Sequence, residues 1–291
     1  MSALGHKRTF APQKVMSALA PKADICSALA HVPFGPKPDI AHCPLTCSVR
    51  NIGLSIKRTG SLAEELTYKD EAAAGYDRAF ARVTTHFAPF LLRAAHVAPG
   101  MRVLDIATGT GLVAEAALRL VGTTGHVTAA DLSPAMVEKA RRRLGNAPNA
   151  SLAVENGQAL SFSDESFDAV MCSLGLMFFP DPSRGLAEFR CVLRSGGRAA
   201  VSVNTVPERS YNNRINLAIA THVPSLIEAA ARIFLLGDEA KLKSLFEVAE
   251  FRNVEITTET HRFMLPSFDA YFAPFEQGGG SPGQALVSLP E

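Results

Sequence analysis

A short apolar run that leads into a glycine-containing loop and then into a helical pattern constrains this chain's fold most strongly. Residues 102–106 are typical of a buried strand, residues 107–111 form the loop, and a helical pattern begins at about residue 112. A strand, a loop and a helix in this order make up the first half of a βαβ crossover, which joins parallel strands. Gly109 and Gly111 also remove Cβ atoms where a ligand can approach the loop.

The alternation of strands and helices continues along the chain. Further strands are predicted at 126–130, 151–154, 168–172, 198–203 and 254–258, and further helices from about 76 to 98, after Ser133-Pro134, and at 182–193, 209–235, 242–249 and 268–275. This order predicts a doubly wound, Rossmann-like α/β fold, in which helices cover both faces of a mainly parallel sheet and further helices form a cap.

The first 60 residues differ from the rest. Met1-Ser2-Ala3-Leu4 recurs as Met16-Ser17-Ala18-Leu19, and this segment carries eight Lys or Arg residues against two acids. A targeting extension, a disordered tail and a start assigned too far upstream all fit such a low-complexity segment, and the last two are favoured. We therefore expect residues 1–60 to be an N-terminal extension with little stable structure.

Composition excludes several classes of protein. The remainder of the chain is acidic, with 21 basic against 26 acidic residues, so we expect no nucleic-acid partner. Five Cys residues without a disulfide framework favour a reducing, cytoplasmic location. His42, Cys43 and Cys47 lack a second ligand pair at zinc-like spacing, so no metal site is predicted. No apolar run approaches the roughly 20 residues that span a bilayer, so no stable membrane insertion is expected.

Polar or small residues follow each of the first four predicted strands of the α/β core, where the carboxyl ends of parallel strands meet. The candidates for cofactor contacts are Asp105, Ala107, Thr108, Gly109, Thr110, Gly111, Asp131, Leu132, Asn156, Gly157, Gln158 and Ser173. A loop with small residues can seat the methionine part and ribose of S-adenosylmethionine, and the carboxylate of Asp131 can accept both ribose hydroxyl protons. Asn156 and Gly157 are placed to face the adenine edge.

The loop alone does not separate two cofactors. Gly109-x-Gly111-x-x-Ala114, with Asp131 downstream, also fits the nicotinamide dinucleotide fingerprint. Two features oppose that interpretation: Asp105 ends the strand where a dinucleotide-binding strand is normally apolar, and none of the four Tyr residues is followed four residues later by Lys. A nicotinamide-dependent oxidoreductase stays as the alternative at this point.

Several further motifs occur in a fixed order. They are Val103-Leu104-Asp105-Ile106-Ala107-Thr108-Gly109-Thr110-Gly111, Ala130-Asp131-Leu132-Ser133, Asn156-Gly157-Gln158-Ala159-Leu160, Phe167-Asp168, Ser173-Leu174-Gly175-Leu176 and Val192-Leu193-Arg194-Ser195-Gly196-Gly197. Over roughly residues 76–260 the chain resembles the ubiquinone/menaquinone-biosynthesis C-methyltransferase-like branch of class I S-adenosylmethionine-dependent methyltransferases.

The resemblance implies an enzyme that moves a methyl group from S-adenosylmethionine to carbon or oxygen of a small-molecule acceptor, such as a quinone-like or other apolar ring compound. A non-catalytic S-adenosylmethionine-binding protein is a second alternative. The implied cofactor contacts come from Thr110, Asp131, Asn156, Gly157 and Ser173. Residues 61–291 then form the methyltransferase domain, with cap segments at 61–98 and 209–235, a cofactor-binding core at 101–204 and a C-terminal part at 238–291.

The sequence departs from the family pattern at three places. Ala107 replaces the commoner glycine of the loop, which is a mild change if that position does not need a positive φ. Asn204 stands where many relatives carry an aromatic residue. Class I methyltransferases usually end in an antiparallel hairpin, but residues 285–289 are too short and too Pro-terminated for its last strand. We therefore expect a truncated sheet edge in which that strand is missing.

Catalysis by such an enzyme depends mainly on aligning acceptor and methyl group, and a general base helps where the acceptor is a phenol or an activated carbon. Tyr76, His86 and His222 are the candidates for that base. Residues 177–179 (Met, Phe, Phe) either line an apolar acceptor pocket or pack in the core. Cys172 lies inside a predicted buried strand, so we expect a core residue and not a nucleophile.

Overall fold

The computed structural model describes residues 8–19, 70–210, 213, 231–277 and 286–287. One seven-stranded sheet lies at its centre. The strands are β1 (Arg8–Leu19), β2 (Arg102–Ile106), β3 (His126–Asp131), β4 (Ala150–Val154), β5 (Phe167–Ser173), β6 (Leu193–Asn204) and β7 (Arg252–Met264). Their order across the sheet is β4-β3-β2-β5-β6-β1-β7. Strands β2 to β6 run parallel, whereas β1 is antiparallel to both β6 and β7.

Helices cover both faces of this sheet. The described helices are α1 (Asp70–Ala94), α2 (Leu112–Val121), α3 (Pro134–Leu144), α4 (Pro182–Val192), α5 (Glu239–Val248) and α6 (Phe268–Glu276). Helices α1 and α2 share one apolar core with one face of the sheet, and α4 and α5 share the other. The predicted doubly wound, mainly parallel α/β fold is confirmed.

Local sequence signals explain how the helices on the cofactor side begin. The Ser133 hydroxyl accepts a hydrogen bond from the Met136 N–H at the start of α3, and the Asp181 carboxylate accepts one from the Arg184 N–H at the start of α4. Each cap is followed by a proline in the first helical turn, whose missing N–H costs nothing there. The Ser-Pro and Asp-Pro pairs therefore fix where both helices start.

The expectation of a missing antiparallel strand is wrong. Residues 8–19 form β1, which lies between β6 and β7 and pairs with both over most of its length. The prediction considered only the C-terminal end of the chain as the source of this strand. Pro12 is compatible with β1, because at this position the strand pairs with β7 only. Pairing with β6 starts at the next residue, Gln13.

The strand β1 also corrects part of the expected domain organisation. The prediction of little stable structure is wrong for residues 8–19, whereas residues 1–7 and 20–60 lie outside the described residues. The predicted insertion at 209–235 lies mostly outside them as well. Helix α1 is only partly a cap, because its C-terminal half packs in the same core as α2. The other domain boundaries stay predictions.

Candidate active site

A cavity opens to solvent at the carboxyl ends of β2 to β5, as expected for a doubly wound sheet. Its volume is about 840 Å³ including the open mouth. The lining residues come from α1 and from the loops after these four strands: Tyr76, Ile106, Ala107, Gly109, Asp131, Leu132, Met136, Glu155, Asn156, Gly157, Gln158, Ser173, Leu174, Gly175, Phe178, Phe179 and Pro180. No Lys or Arg is among them, so the described part of the chain gives the cavity no cationic side chain for a phosphate.

The loop after β2 has a left-handed backbone at alternate residues. The φ angles are +54° at Ala107, +56° at Gly109 and +82° at Gly111. Position 107 therefore does need a positive φ, and alanine is not the mild replacement for glycine that it would be otherwise. A left-handed φ costs a non-glycine residue roughly 1–2 kcal/mol. Neighbouring Gly175 accommodates the Ala107 methyl group, since a Cβ at Gly175 would lie 2.4 Å from it.

Asp105 is completely buried beneath this loop. Its Oδ2 accepts a hydrogen bond of 2.7 Å from the hydroxyl of buried Thr108, and its Oδ1 has no hydrogen-bond partner of normal geometry, although the backbone of Ala114 faces the carboxylate. The pKa of Asp105 is raised to about 7, mainly by burial and to a smaller extent by the charge of Asp131, while the hydrogen bond from Thr108 opposes the increase. Neither Asp105 nor Thr108 lines the cavity, so both support the loop from below.

Asp131 ends β3 and does line the cavity. Its Oδ1 accepts a hydrogen bond of 2.9 Å from the Ser133 N–H, and its Oδ2 accepts one of 2.8 Å from the Gly109 N–H. Burial raises the pKa of Asp131 above its ordinary value, and these backbone hydrogen bonds offset only part of the increase. Each carboxylate oxygen keeps a second lone pair, so the fixed side chain can still accept two hydroxyl protons from a ligand.

The wall after β4 is tied to the start of α4. The Asn156 side-chain oxygen accepts a hydrogen bond from the Gln158 N–H at 3.0 Å, and the Gln158 side-chain oxygen accepts one from the Asp181 N–H at 2.6 Å. The Phe179 ring packs against Gly157, where a Cβ would lie 2.4 Å from the ring. This wall presents backbone and amide groups beside an aromatic face.

The loop after β5 completes the cavity. The Ser173 hydroxyl lies 3.4 Å from that of Ser202. Phe178 is 44% exposed and lines the cavity, whereas Met177 is buried in the core. Of the two interpretations of residues 177–179, a pocket wall therefore applies to Phe178 and core packing applies to Met177. Cys172 is fully buried and burial raises the pKa of its thiol, in agreement with the prediction of a core residue.

Tyr76 of α1 is the one described base candidate that reaches the cavity. Burial raises the pKa of its hydroxyl, and the charges of Asp131 and Asp77 raise it further. The hydroxyl is therefore protonated at neutral pH and is a hydrogen-bond donor, not a ready base.

Of the other two base candidates, the structure describes only His86. His86 does not line it, and its ring stacks on that of His261 in β7 with 3.7 Å between centroids. Burial lowers the pKa of His86, and the neighbouring His261 lowers it further. His222 lies outside the described residues.

Two residues of the loop that were predicted to contact the cofactor do not line the cavity. Thr110 is 2% exposed and donates its hydroxyl proton to Asp77, and Gly111 packs against Ala140, so neither lines the cavity. The prediction missed the lining residues Ile106, Met136, Glu155, Leu174, Gly175 and Pro180. Glu155 could have been found, because it directly precedes Asn156 at the end of β4.

The described ranges contain no cluster of three or more His, Cys, Asp or Glu side chains that could hold a metal ion. No helix within them is long and apolar enough to cross a membrane.

Comparison with known proteins identifies a methyltransferase domain in this chain. Residues 103–197 match the family model of a methyltransferase domain. The demethylmenaquinone methyltransferase of Clavibacter sepedonicus is 33% identical over 202 residues, which cover 64% of this chain and 81% of that protein. The ubiquinone/menaquinone biosynthesis C-methyltransferase UbiE of Shewanella halifaxensis is 30% identical over 59% of this chain and 74% of its own length. A methyltransferase structure from Aquifex aeolicus aligns with a TM-score of 0.44, at 18% identity, over 56% of this chain and 88% of that one.

The fold, the cavity and these relatives together define a class I methyltransferase, an enzyme that uses S-adenosylmethionine as its methyl donor. Within that class, the chain belongs to the family of the demethylmenaquinone and ubiquinone/menaquinone biosynthesis methyltransferases. The predicted family, enzyme class and cofactor are confirmed. Neither alternative, a nicotinamide-dependent oxidoreductase or a non-catalytic binding protein, is supported.

Proposed function

We propose that this enzyme methylates a ring carbon of a reduced, quinone-type acceptor. The observation that carries the proposal is the character of the cavity lining: a neutral Tyr76 and a half-exposed Phe178 contribute to it, and none of the described lining residues is cationic. Such a lining suits a flat, uncharged ring. The names of the relatives at 30–33% identity point to the same class of acceptor.

The geometry of the lining supports the following cofactor-binding roles. When bound, S-adenosylmethionine supplies an electrophilic methyl group on a positively charged sulfur. We assign the ribose hydroxyls to Asp131, the adenine edge to Asn156 and Gly157, and the flanking apolar contact to Leu132. Ala107, Gly109 and Ser173 face the methionine part. Asp105, Thr108, Thr110 and Gly111 hold the loop in shape without facing the cavity.

The acceptor side is built from aromatic residues of α1 and α6. The Tyr76 ring lies 5.3 Å from that of Phe80, which in turn lies 6.4 Å from Phe275. These rings form an apolar cluster next to the cavity lining, which is compatible with an apolar substituent on the acceptor ring. The Tyr76 hydroxyl can donate a hydrogen bond to a ring oxygen and so orient the neighbouring carbon. Methyl transfer to that carbon would break the bond between the methyl group and sulfur, and the ring proton would pass to water in the open cavity.

A labelling experiment tests the acceptor. Purified enzyme is incubated with methyl-labelled S-adenosylmethionine and either a short-chain demethylmenaquinol, kept reduced, or catechol as a phenolic control. We expect label on the quinol ring carbon, located by mass spectrometry and NMR, and little transfer to catechol. Label found only on a hydroxyl oxygen, or transfer to neither compound, would contradict the proposal.

Replacement of Asp131 tests the cofactor assignment. Asp131→Ala should weaken S-adenosylmethionine binding by about 1–3 kcal/mol, because charge-assisted hydrogen bonds to the ribose are lost. Titration calorimetry measures the change, with exposed Asp164→Ala as the matched control and NAD as a competing ligand that should not bind. Unchanged affinity in Asp131→Ala would remove Asp131 from the site.

A cytoplasmic location and the absence of a nucleic-acid partner stay predictions.

A further inference from the structure

Three polar side chains from three separate elements meet beside the cofactor loop. The Thr110 hydroxyl donates to Oδ1 of Asp77 at 2.6 Å, and the Arg143 guanidinium donates through Nη2 to Oδ2 of Asp77 at 2.7 Å. The Nε of Arg143 also donates to the Thr110 backbone carbonyl at 2.7 Å. These three hydrogen bonds close a triangle between α1, the loop after β2 and α3, which we name the loop clamp (Asp77, Thr110, Arg143).

The loop clamp is better shielded from water than an ordinary surface ion pair. The Arg143 side chain is 25% exposed and that of Asp77 is 42% exposed, while Thr110 is buried. All three contacts involve an ionised donor or acceptor, and such hydrogen bonds are about twice as strong as neutral ones. Glu115 of α2 lies 3.7 Å from the same guanidinium and adds a second negative charge.

Neighbouring arginines of α3 provide an internal comparison. Arg141 and Arg142 form ion pairs with Glu138, one turn earlier on the same helix, and the Arg142 side chain is 76% exposed. Such pairs contribute little to stability. Within the described part of α3, Arg143 is the arginine whose ion pairs reach other elements.

The position of the loop clamp connects two walls of the active site. Asp77 directly follows Tyr76, which lines the cavity from α1, and Thr110 directly follows Gly109, which lines it from the loop and holds Asp131. We propose that Asp77 and Arg143 are positioning residues that fix the start of α1 against the cofactor loop, so that the acceptor wall and the cofactor seat keep one geometry. The inference rests on the cofactor placement proposed above.

Calorimetry with S-adenosylhomocysteine, the unreactive product, tests the loop clamp. Asp77→Asn and Arg143→Gln should each raise Kd about tenfold, because either change removes the ion pair that holds the loop. The double variant should be little worse than either single variant, since both changes break the same contact. Arg143→Lys keeps a charge near Asp77 and should recover part of the affinity, and Arg142→Gln is the matched control.

Hydrogen exchange separates positioning from a general loss of stability. S-adenosylhomocysteine should protect the backbone around Tyr76 in the unchanged enzyme and in Arg142→Gln, but not in Arg143→Gln, at a temperature where every variant is folded. Unchanged affinity in both clamp variants, additive losses in the double variant, or retained protection would each overturn the inference. Failure of the unchanged enzyme to bind would instead contradict the proposed cofactor site.

Discussion

Two carboxylates lie at or next to the carboxyl ends of adjacent strands of the sheet, yet they have different surroundings. Asp131 faces the cavity and receives two backbone hydrogen bonds, whereas Asp105 lies one strand away, fully buried, with only the Thr108 hydroxyl in good hydrogen-bonding geometry. The burial raises the pKa of Asp105 to about 7. Ionisation of a carboxyl group buried in this way lowers the stability of the folded protein. A positive charge nearby would make the ionised form favourable again.

The raised pKa of Asp105 predicts a specific pH dependence of stability. The folded protein holds a proton on this group between pH 3.8, the ordinary pKa, and about pH 7, whereas the unfolded chain has released it. The free energy of unfolding should therefore fall, by a few kcal/mol in all, as pH rises through this window. Asp105→Asn cannot titrate and should lose this dependence while keeping the hydrogen bond from Thr108. Urea unfolding at pH 5 and pH 8 measures the difference, and equal pH slopes in the variant and the unchanged protein would contradict it.

The contact between Ala107 and Gly175 predicts coupling between two loops. Gly175→Ala should destabilise the protein by about 1–3 kcal/mol through overpacking, because the new methyl group would lie 2.4 Å from that of Ala107. Ala107→Gly alone should have a small effect, since relief of left-handed strain offsets the greater freedom of the unfolded chain. The double variant should recover at least half of the loss, although the Cys172 sulfur stays close to position 175. Thermal unfolding of all four proteins measures the coupling, and strictly additive losses would exclude it.

At the level of whole elements, the strands that the sequence predicted well include those buried on both faces, such as β2, β3 and β5. Val103 and Leu104 point to opposite cores, and Asp105 is the one polar residue among the buried positions of β2, so the strand is easily recognised as an apolar run. Strand β1 has no such signal: it contains a proline, two basic residues and no sustained apolar alternation, and its pairing depends on partners more than 170 residues away. The position of β1 in the sheet is specified only by the backbone hydrogen-bonding groups of β6 and β7. These become available once the remainder of the sheet has folded.

Interruption of β1 should therefore damage the whole sheet edge. Val15 pairs with Ser202 on one side and Thr257 on the other. Val15→Pro removes an N–H inside a strand that has neighbours on both sides and should destabilise the protein by about 3 kcal/mol. Val15→Thr keeps both the N–H and the β-branched shape and is the control. Denaturant unfolding measures the two variants, and an unchanged midpoint in Val15→Pro would show that β1 does not pair in solution.

At the level of the whole molecule, the sequence predicted the site better than it predicted the sheet edge. Parallel strands bring their carboxyl ends to one side, so Asp131, Asn156 and Ser173 could be placed together from their strand positions alone. The hydrogen bond from Thr110 to Asp77 could not be predicted from the sequence, because it depends on how α1 packs and not on any motif. The same packing places Tyr76 at the cavity and His86 against β7, although both lie on one helix.

The use of residues 8–19 as the sixth strand across the sheet also determines when the protein can mature during translation. The ribosome makes β1 first, but both strands that flank it are made much later, and β7 ends only at Met264. At about 5–20 residues per second, the nascent segment waits on the order of ten to fifty seconds for its partners. During that time its backbone donors and acceptors are open to chaperones or to neighbouring nascent chains, so the yield of active enzyme should depend on how quickly the ribosome reaches β7.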